Sequence, residues 1–186
     1  MGMLRGRIFA SSFALLATLF MLNTGPSFAG RKGARGCAGT RTVPVDAPTR
    51  RQASRAVLCL VNRVRANRRM PSLRRSRPLR LAAAGHGVDM VRRRYFSHVS
   101  LDGGTIGTRV RRTGYVRMHR VVAVSETLAW APQGSASTLV RALMASPSHR
   151  GIILDRRQRH IGVGLVLGAP VNGAGTASTL VLAFGM

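Results

Sequence analysis

Apolar residues change their spacing once along this chain, and that change limits its fold more than any other feature. In the middle of the sequence they recur at helical spacing. Ala56, Val57, Leu60, Val61 and Val64 share one face of a segment from Ala53 to Arg68. Leu79, Ala82, Ala83 and Met90 share one face of "LRLAAAGHGVDMVRRR". In the last third, "HIGVGLVLG" and "STLVLAFG" are β-branched and apolar runs, and the stretch between them holds Asn172-Gly173. This predicts a hairpin with a long connection. Helices first and strands last, without repeated βαβ units, predict an α+β domain.

The remaining segments fit around that plan. Pro71 ends the first helical region, and a second helix is expected from about Pro78, with Arg92 to Arg94 suited to its negative C-terminal end. "YFSHVSLDGGTIGTRV" reads as loop with a turn at Asp102-Gly103-Gly104. "RVVAVSETLAW" reads as partly extended, and "GSASTLVRALMAS" as a helix capped by Ser135 or Ser137. Pro147 suits the first position of a short helix. Residues 30–52 are rich in Gly, Arg, Thr and Pro without a periodic apolar face, and are expected to form an arm. The domain proper is then 53–186.

The N-terminus has the layout of a secretory signal peptide over residues 1–29. Arg5 and Arg7 precede an apolar core from Ile8 to Leu22, and Ser27-Phe28-Ala29 offers small residues for cleavage. That core is shorter than the roughly 20 residues of a spanning helix, so no stable transmembrane segment is expected after cleavage; the alternative is an uncleaved anchor. Export to an oxidising compartment makes a Cys37–Cys59 disulfide the economical use of two cysteines. The alternative is a buried Cys59 beside a free Cys37.

The chain carries 30 Lys+Arg against 5 Asp+Glu, a formal charge of +25. Such a charge attracts polyanions: anionic envelope lipid, acidic wall polymer, or nucleic acid non-specifically. Lys32 is the only lysine. A patch selected for charge alone tolerates both basic residues, so the skew reads equally well as arginine-rich composition over a solvated surface. The acids are Asp46, Asp89, Asp102, Glu126 and Asp155, which leaves few candidates for acid–base or metal chemistry. HExxH, GxSxG, GxxxxGK[ST] and CxxC are absent. His98 in "YFSH", Glu126 in "SETLAW" and His149 in "SPSHR" remain, as polar residues in apolar or small-residue settings. Taken singly, a helix cap, an arginine partner or an exposed helix position explains each.

Together they belong to a longer pattern. Asn62 with Arg65-Ala66, His86 with Asp89-Met90, Tyr95 to His98, Asp102-Gly103, Arg109 with Gly114-Tyr115, Glu126, Ser146 to Arg150, and Ile161 to Gly164 stand in order. In this the chain resembles bacterial members of the CAP superfamily of cysteine-rich secretory, antigen-5 and pathogenesis-related proteins, over about residues 53–186. The placing of Cys37 and Cys59 is similar to that of secreted forms. The resemblance implies an α–β–α sandwich with a mostly antiparallel sheet, and a cavity lined by His98, Glu126 and His149, with His86 and Asp89 at its edge or in a structural hydrogen bond.

Two imidazoles and a carboxylate oxygen are ligand types that suit zinc, so His98, His149 and Glu126 are candidate metal ligands. The pattern also departs from its relatives. Ser125 and Thr127 flank Glu126 in place of Gly and Asn, Leu143 stands for Trp, Ile152 for Asn, and Val181 to Gly185 for T-Q-D-F-G.

The function expected from this resemblance is a secreted, non-enzymatic module binding an envelope lipid or wall polymer. One alternative is a hydrolase whose His98 or His149, oriented by Glu126, activates Ser97 or Ser100. Another is a cationic binder of nucleic acid or anionic membrane acting by charge alone.

Overall fold

The computed structural model describes residues 36–118 and 123–186. The expected leader, residues 30–35 of the arm, and His119 lie outside the described residues. Gly36–Met186 forms one compact unit.

Helix α1 (Ala47–Ala66) starts at Ala47, earlier than the apolar period indicated and inside the stretch read as arm. Its first turn is exposed, so no apolar period marks it. A capping box holds it instead: the Asp46 carboxylate accepts from the Thr49 N–H at 2.8 Å, and the Thr49 hydroxyl accepts from the Asp46 N–H at 3.1 Å. Upstream, Cys37 and Cys59 form a disulfide with a Cα–Cα distance of 5.7 Å, and the Thr40 carbonyl accepts from Ser137 N–H. The irregular segment is thereby bound to two helices.

Strand β1 (Arg74–Arg75) leads into α2 (Arg77–Arg93), which Ser76 caps and which Arg94 ends in the left-handed region at φ 56°. The segment read as loop contains a helix. In α3 (Ile106–Arg112), Thr105 and Thr108 form a second capping box, a signal that Gly103-Gly104 and Gly107 obscured. Helix α4 (Tyr115–Met118) follows, then strand β2 (Val124–Pro132) and helix α5 (Ala136–Ala145), capped by Ser135. Pro147 begins helix α6 (Pro147–Ile153), as expected. Strands β3 (His160–Leu167) and β4 (Ala177–Gly185) make the hairpin.

The strand order is β1-β3-β4-β2, with β4 antiparallel to both neighbours and β1 parallel to β3. The sheet is therefore mixed, where a mostly antiparallel one was expected. Between β1 and β3 the chain passes through α2, α3, α4, β2, α5 and α6, and it returns as β3 running the same way as β1. Successive residues of β4 point to opposite layers. Leu180, Leu182 and Phe184 face α1, α5 and α6, packing with Val57, Val61, Leu139, Leu143 and Ile153. Val181 and Ala183 face α2 and α3, packing with Leu79, Ala83, Met90 and Val110. These two layers around one sheet are the expected α–β–α sandwich. Each fully buried leucine contributes about 1.5–3 kcal/mol.

On the α2 side, β3 presents Gly162 and Gly164. A Cβ at Gly162 would stand 2.1 Å from the Leu79 carbonyl carbon, and one at Gly164 would stand 2.5 Å from that of Ala83. Helix α2 therefore lies backbone to backbone on the sheet, which only glycine permits.

The N-x-x-R-A signature has a structural task. Asn62 brackets Leu73, accepting from its N–H at 2.8 Å and donating to its carbonyl at 3.1 Å. The fully buried Arg65 donates to the carbonyls of Pro71, Ile153 and Asp155, tying α1 to the end of α6. No helix among the described residues is long and apolar enough to cross a membrane.

Candidate functional site

Glu126 lies on β2 opposite Ala183 and points to the α2–α3 side of the sheet. Its side chain is only 2% exposed. An ionised carboxylate that deep requires partners for both oxygens, and it has them. Oε1 accepts from Arg109 Nη2 at 2.9 Å. Oε2 pairs with His98 Nδ1 at 3.0 Å. Arg109, on α3, also donates from Nη1 to the Gly104 carbonyl at 2.9 Å and to Ser100 Oγ at 3.1 Å, and from Nη2 to the His98 carbonyl at 3.0 Å. One buried guanidinium thus ties the 98–104 loop to the strand that bears the carboxylate.

His98 rides on that loop with its side chain 54% exposed. The carboxylate accepts from Nδ1–H, which leaves Nε2 as the ring nitrogen turned away from Glu126. The half-buried His149, on α6, stands with its ring centroid 6.3 Å from that of His98. Burial, and then the neighbouring His98 charge, hold His149 below its ordinary pKa; two imidazoles this close disfavour joint protonation.

His86, on α2, is buried beneath the loop. Its Nε2 lies 2.8 Å from the Ser97 carbonyl and 3.9 Å from Glu126 Oε2. Both neighbours accept, so Nε2 carries the proton and Nδ1 accepts from Ser100 Oγ at 3.4 Å. Burial pushes the His86 pKa down despite the attraction of Glu126. The ring is therefore neutral, and the 3.9 Å approach is a dipole facing a charge rather than an ion pair. Asp89 accepts from the Tyr95 hydroxyl and lies 3.6 Å from Arg93. Beside these groups is a cavity of about 310 Å³ that reaches His86, Asp89, Ser100, Asp102, Arg109 and Arg112.

A family model described as the cysteine-rich secretory protein family, CAP, matches residues 58–181. The chain belongs to that family. Solved structures similar to this CAP domain share its fold at low identity. An extracellular protein containing an SCP domain from Bacillus anthracis superposes with a TM-score of 0.61 at 23% identity, over 76% of this chain and 44% of that one. An outer surface protein from Borrelia burgdorferi gives 0.61 at 18%, over 76% and 95%. A cysteine-rich secretory protein from Staphylococcus aureus gives 0.53 at 15%, over 76% and 40%. This chain thus spans less than half the length of two of the three. No curated protein sequence matches it.

The CAP domain brings His98, Glu126, His149 and His86 into one neighbourhood, but it does not arrange the first three as metal ligands. Both carboxylate oxygens are engaged, one of them by a guanidinium whose charge opposes a cation. Among the described residues no group of three or more His, Cys, Asp and Glu side chains is placed to hold a metal ion. A three-ligand zinc site of His98, His149 and Glu126 does not fit this arrangement, because Glu126 orients His98 and balances Arg109.

Two departures from the family pattern can be placed in the fold. Leu143 fills the aliphatic core, and Ala183 lies opposite Glu126 where relatives carry Asp. Sequence reasoning missed Arg109 as a site residue. In a chain so rich in arginine the residue type carries no signal, although a solitary buried carboxylate demands one such partner.

Proposed function

We propose that this CAP domain is a secreted, non-catalytic module that binds an anionic lipid or polymer of the cell envelope through the His98–His149 lip and the polar cavity beside it. The observation that carries this reading is the internal neutralisation of Glu126. With Oε1 paired to Arg109 and Oε2 to His98, the lip presents the imidazoles of His98 and His149 rather than the Glu126 carboxylate. The outward-facing descriptions of the similar proteins from Bacillus and Borrelia support export, as does the Cys37–Cys59 disulfide.

Serine chemistry has weaker support. Ser97 Oγ accepts from Val99 N–H at 3.1 Å. Ser100 Oγ is held between Arg109 and His86, whose basicity burial has lowered. Neither hydroxyl has a hydrogen bond to His98 or His149 among the described residues.

The test is co-sedimentation of the purified protein with phosphatidylglycerol vesicles and with isolated wall polymer. His98→Ala with His149→Ala is expected to weaken binding about tenfold at fixed moderate salt. Binding that ignores both changes and responds to salt alone would establish the charge-only reading. Turnover of an ester reporter that disappears in Ser100→Ala would establish the hydrolase.

A further inference from the structure

Beyond the His/Glu site, β3 has an outer edge that β1 covers only at its start. The two strands pair at Arg74↔His160 and Arg75↔Ile161. Ser76 N–H then donates to the Ile161 carbonyl at 2.9 Å, after which the chain turns up into α2. Past Ile161 no strand among the described residues pairs with this edge. Backbone groups alternate sides along a strand. Since Ile161 directs its carbonyl outward, Val163 and Leu165 direct their N–H and C=O groups the same way, while Gly162 and Gly164 bond toward β4.

These outward groups open into a groove of about 540 Å³ between α1 and α2, which reaches Ile161, Val163, Gly164 and Leu165. Leu58 adds apolar surface from α1. Around this apolar, hydrogen-bonding edge stand Arg50, Arg51 and Arg55 from α1, Arg75 from β1 and Arg80 from α2. No carboxylate among the described residues lines the groove. None of these guanidiniums is in an ion pair among the described residues, although Arg51 lies within electrostatic reach of Asp46 at the start of α1.

An unpaired strand edge is a template for another strand, and charge at the edge selects what can join it. Here the charge is of one sign. A second copy of a chain at +25 is repelled, and a neutral strand would leave the guanidiniums unmatched. An extended segment with acidic side chains satisfies both the backbone edge and the arginines. We infer that this groove is a docking site for an extended acidic peptide segment of a partner protein, which joins the sheet beside β3 at Val163 and Leu165 and sets its carboxylates against Arg55 and Arg80. Main-chain hydrogen bonds supply register, and the arginines supply selectivity. The site lies apart from His98 and His149, so it stands whether or not those residues bind an envelope ligand.

The test uses a fluorescein-labelled peptide alternating Glu and Val, measured by anisotropy with the purified protein at low salt. Arg55→Glu with Arg80→Glu is expected to weaken binding by about tenfold or more. Arg111→Glu with Arg141→Glu makes the same charge change at exposed positions outside the groove and is expected to weaken it far less. Methylating alternate peptide nitrogens removes strand pairing without altering charge, and is expected to cost a similar factor. In amide exchange, Val163 and Leu165 should gain protection when the peptide is bound. Equal binding of the methylated peptide, or equal weakening by the two charge reversals, would reduce the contact to general electrostatics and overturn the proposal. Binding of dodecanoate in the groove without binding of the peptide would overturn it as well, making the groove a site for acyl chains.

Discussion

The two faces of the sheet are packed by different means. Toward α1, α5 and α6 the contacts are leucine, valine, isoleucine and phenylalanine, and almost nothing there can change its charge. Toward α2 and α3 the sheet combines glycine contacts with a polar cluster in which Glu126, Arg109, His86 and Ser100 are mutually dependent. An aliphatic interface tolerates volume-conserving exchange. A buried polar cluster holds only while every member is present. The first face makes the domain stable, and the second aims an imidazole outward at the cost of sensitivity to charge and pH.

The strongest way to break the comparison is Glu126→Ala. Removing one partner of a buried ion pair leaves Arg109 uncompensated, and the expected loss is about 3–5 kcal/mol in urea unfolding. On the aliphatic face, Leu143→Ala is expected to cost about 2–5 kcal/mol through its cavity. The two differ in their remedy. A methionine at position 143 should recover most of the loss, whereas no apolar residue at position 126 should do so while Arg109 remains. Recovery by Glu126→Leu would show that the two faces follow one rule.

A second contrast concerns shape. Gly162→Ala inserts a methyl group into the main chain of α2, and is expected to destabilise by about 1–3 kcal/mol or more. Gly151→Ala, where nothing lies within 4 Å of the added carbon, should be neutral or slightly stabilising in thermal unfolding. Equal effects at the two positions would mean that α2 can lift off the sheet without penalty.

The smallest expected effect is the response to acid. Burial depresses the His86 pKa in the folded chain, and His149 is depressed likewise. The unfolded chain therefore takes up these protons first. Their contribution to stability is fully present above the ordinary value of 6.5, and is lost as pH falls below it through the folded values. His86→Gln should flatten that part of the stability–pH curve. A wild-type curve that is level from pH 7 to 5 would show that His86 is not held neutral.

How much of this was legible in the sequence follows the same division. The aliphatic face announces itself in the sequence: the unbroken apolar run of β4 and the helical spacing in α1 can be read because burial writes them directly into residue order. The exposed first turn of α1 and the glycine-flanked α3 could not be read that way, because both are held by capping hydrogen bonds rather than by apolar surface. At the site, His98, Glu126, His149 and His86 came from family resemblance, and no local pattern marks them. Arg109 stood in the family pattern, but among so many arginines nothing marked it as the partner of Glu126. The uncovered edge of β3 depends on how few residues β1 contributes, a length that no composition or period encodes.

The position of β4 bears on how this domain is made. It fills the centre of the sheet, between β3 and β2, yet it is the last of these elements to be synthesised. Until it arrives, β3 and β2 are not joined into one sheet and each layer lacks the β4 side chains at its centre, so the core cannot close before nearly the whole domain has been made. A chain in that condition is what an export channel can thread, and it is also what proteases and aggregation would attack if closure were delayed.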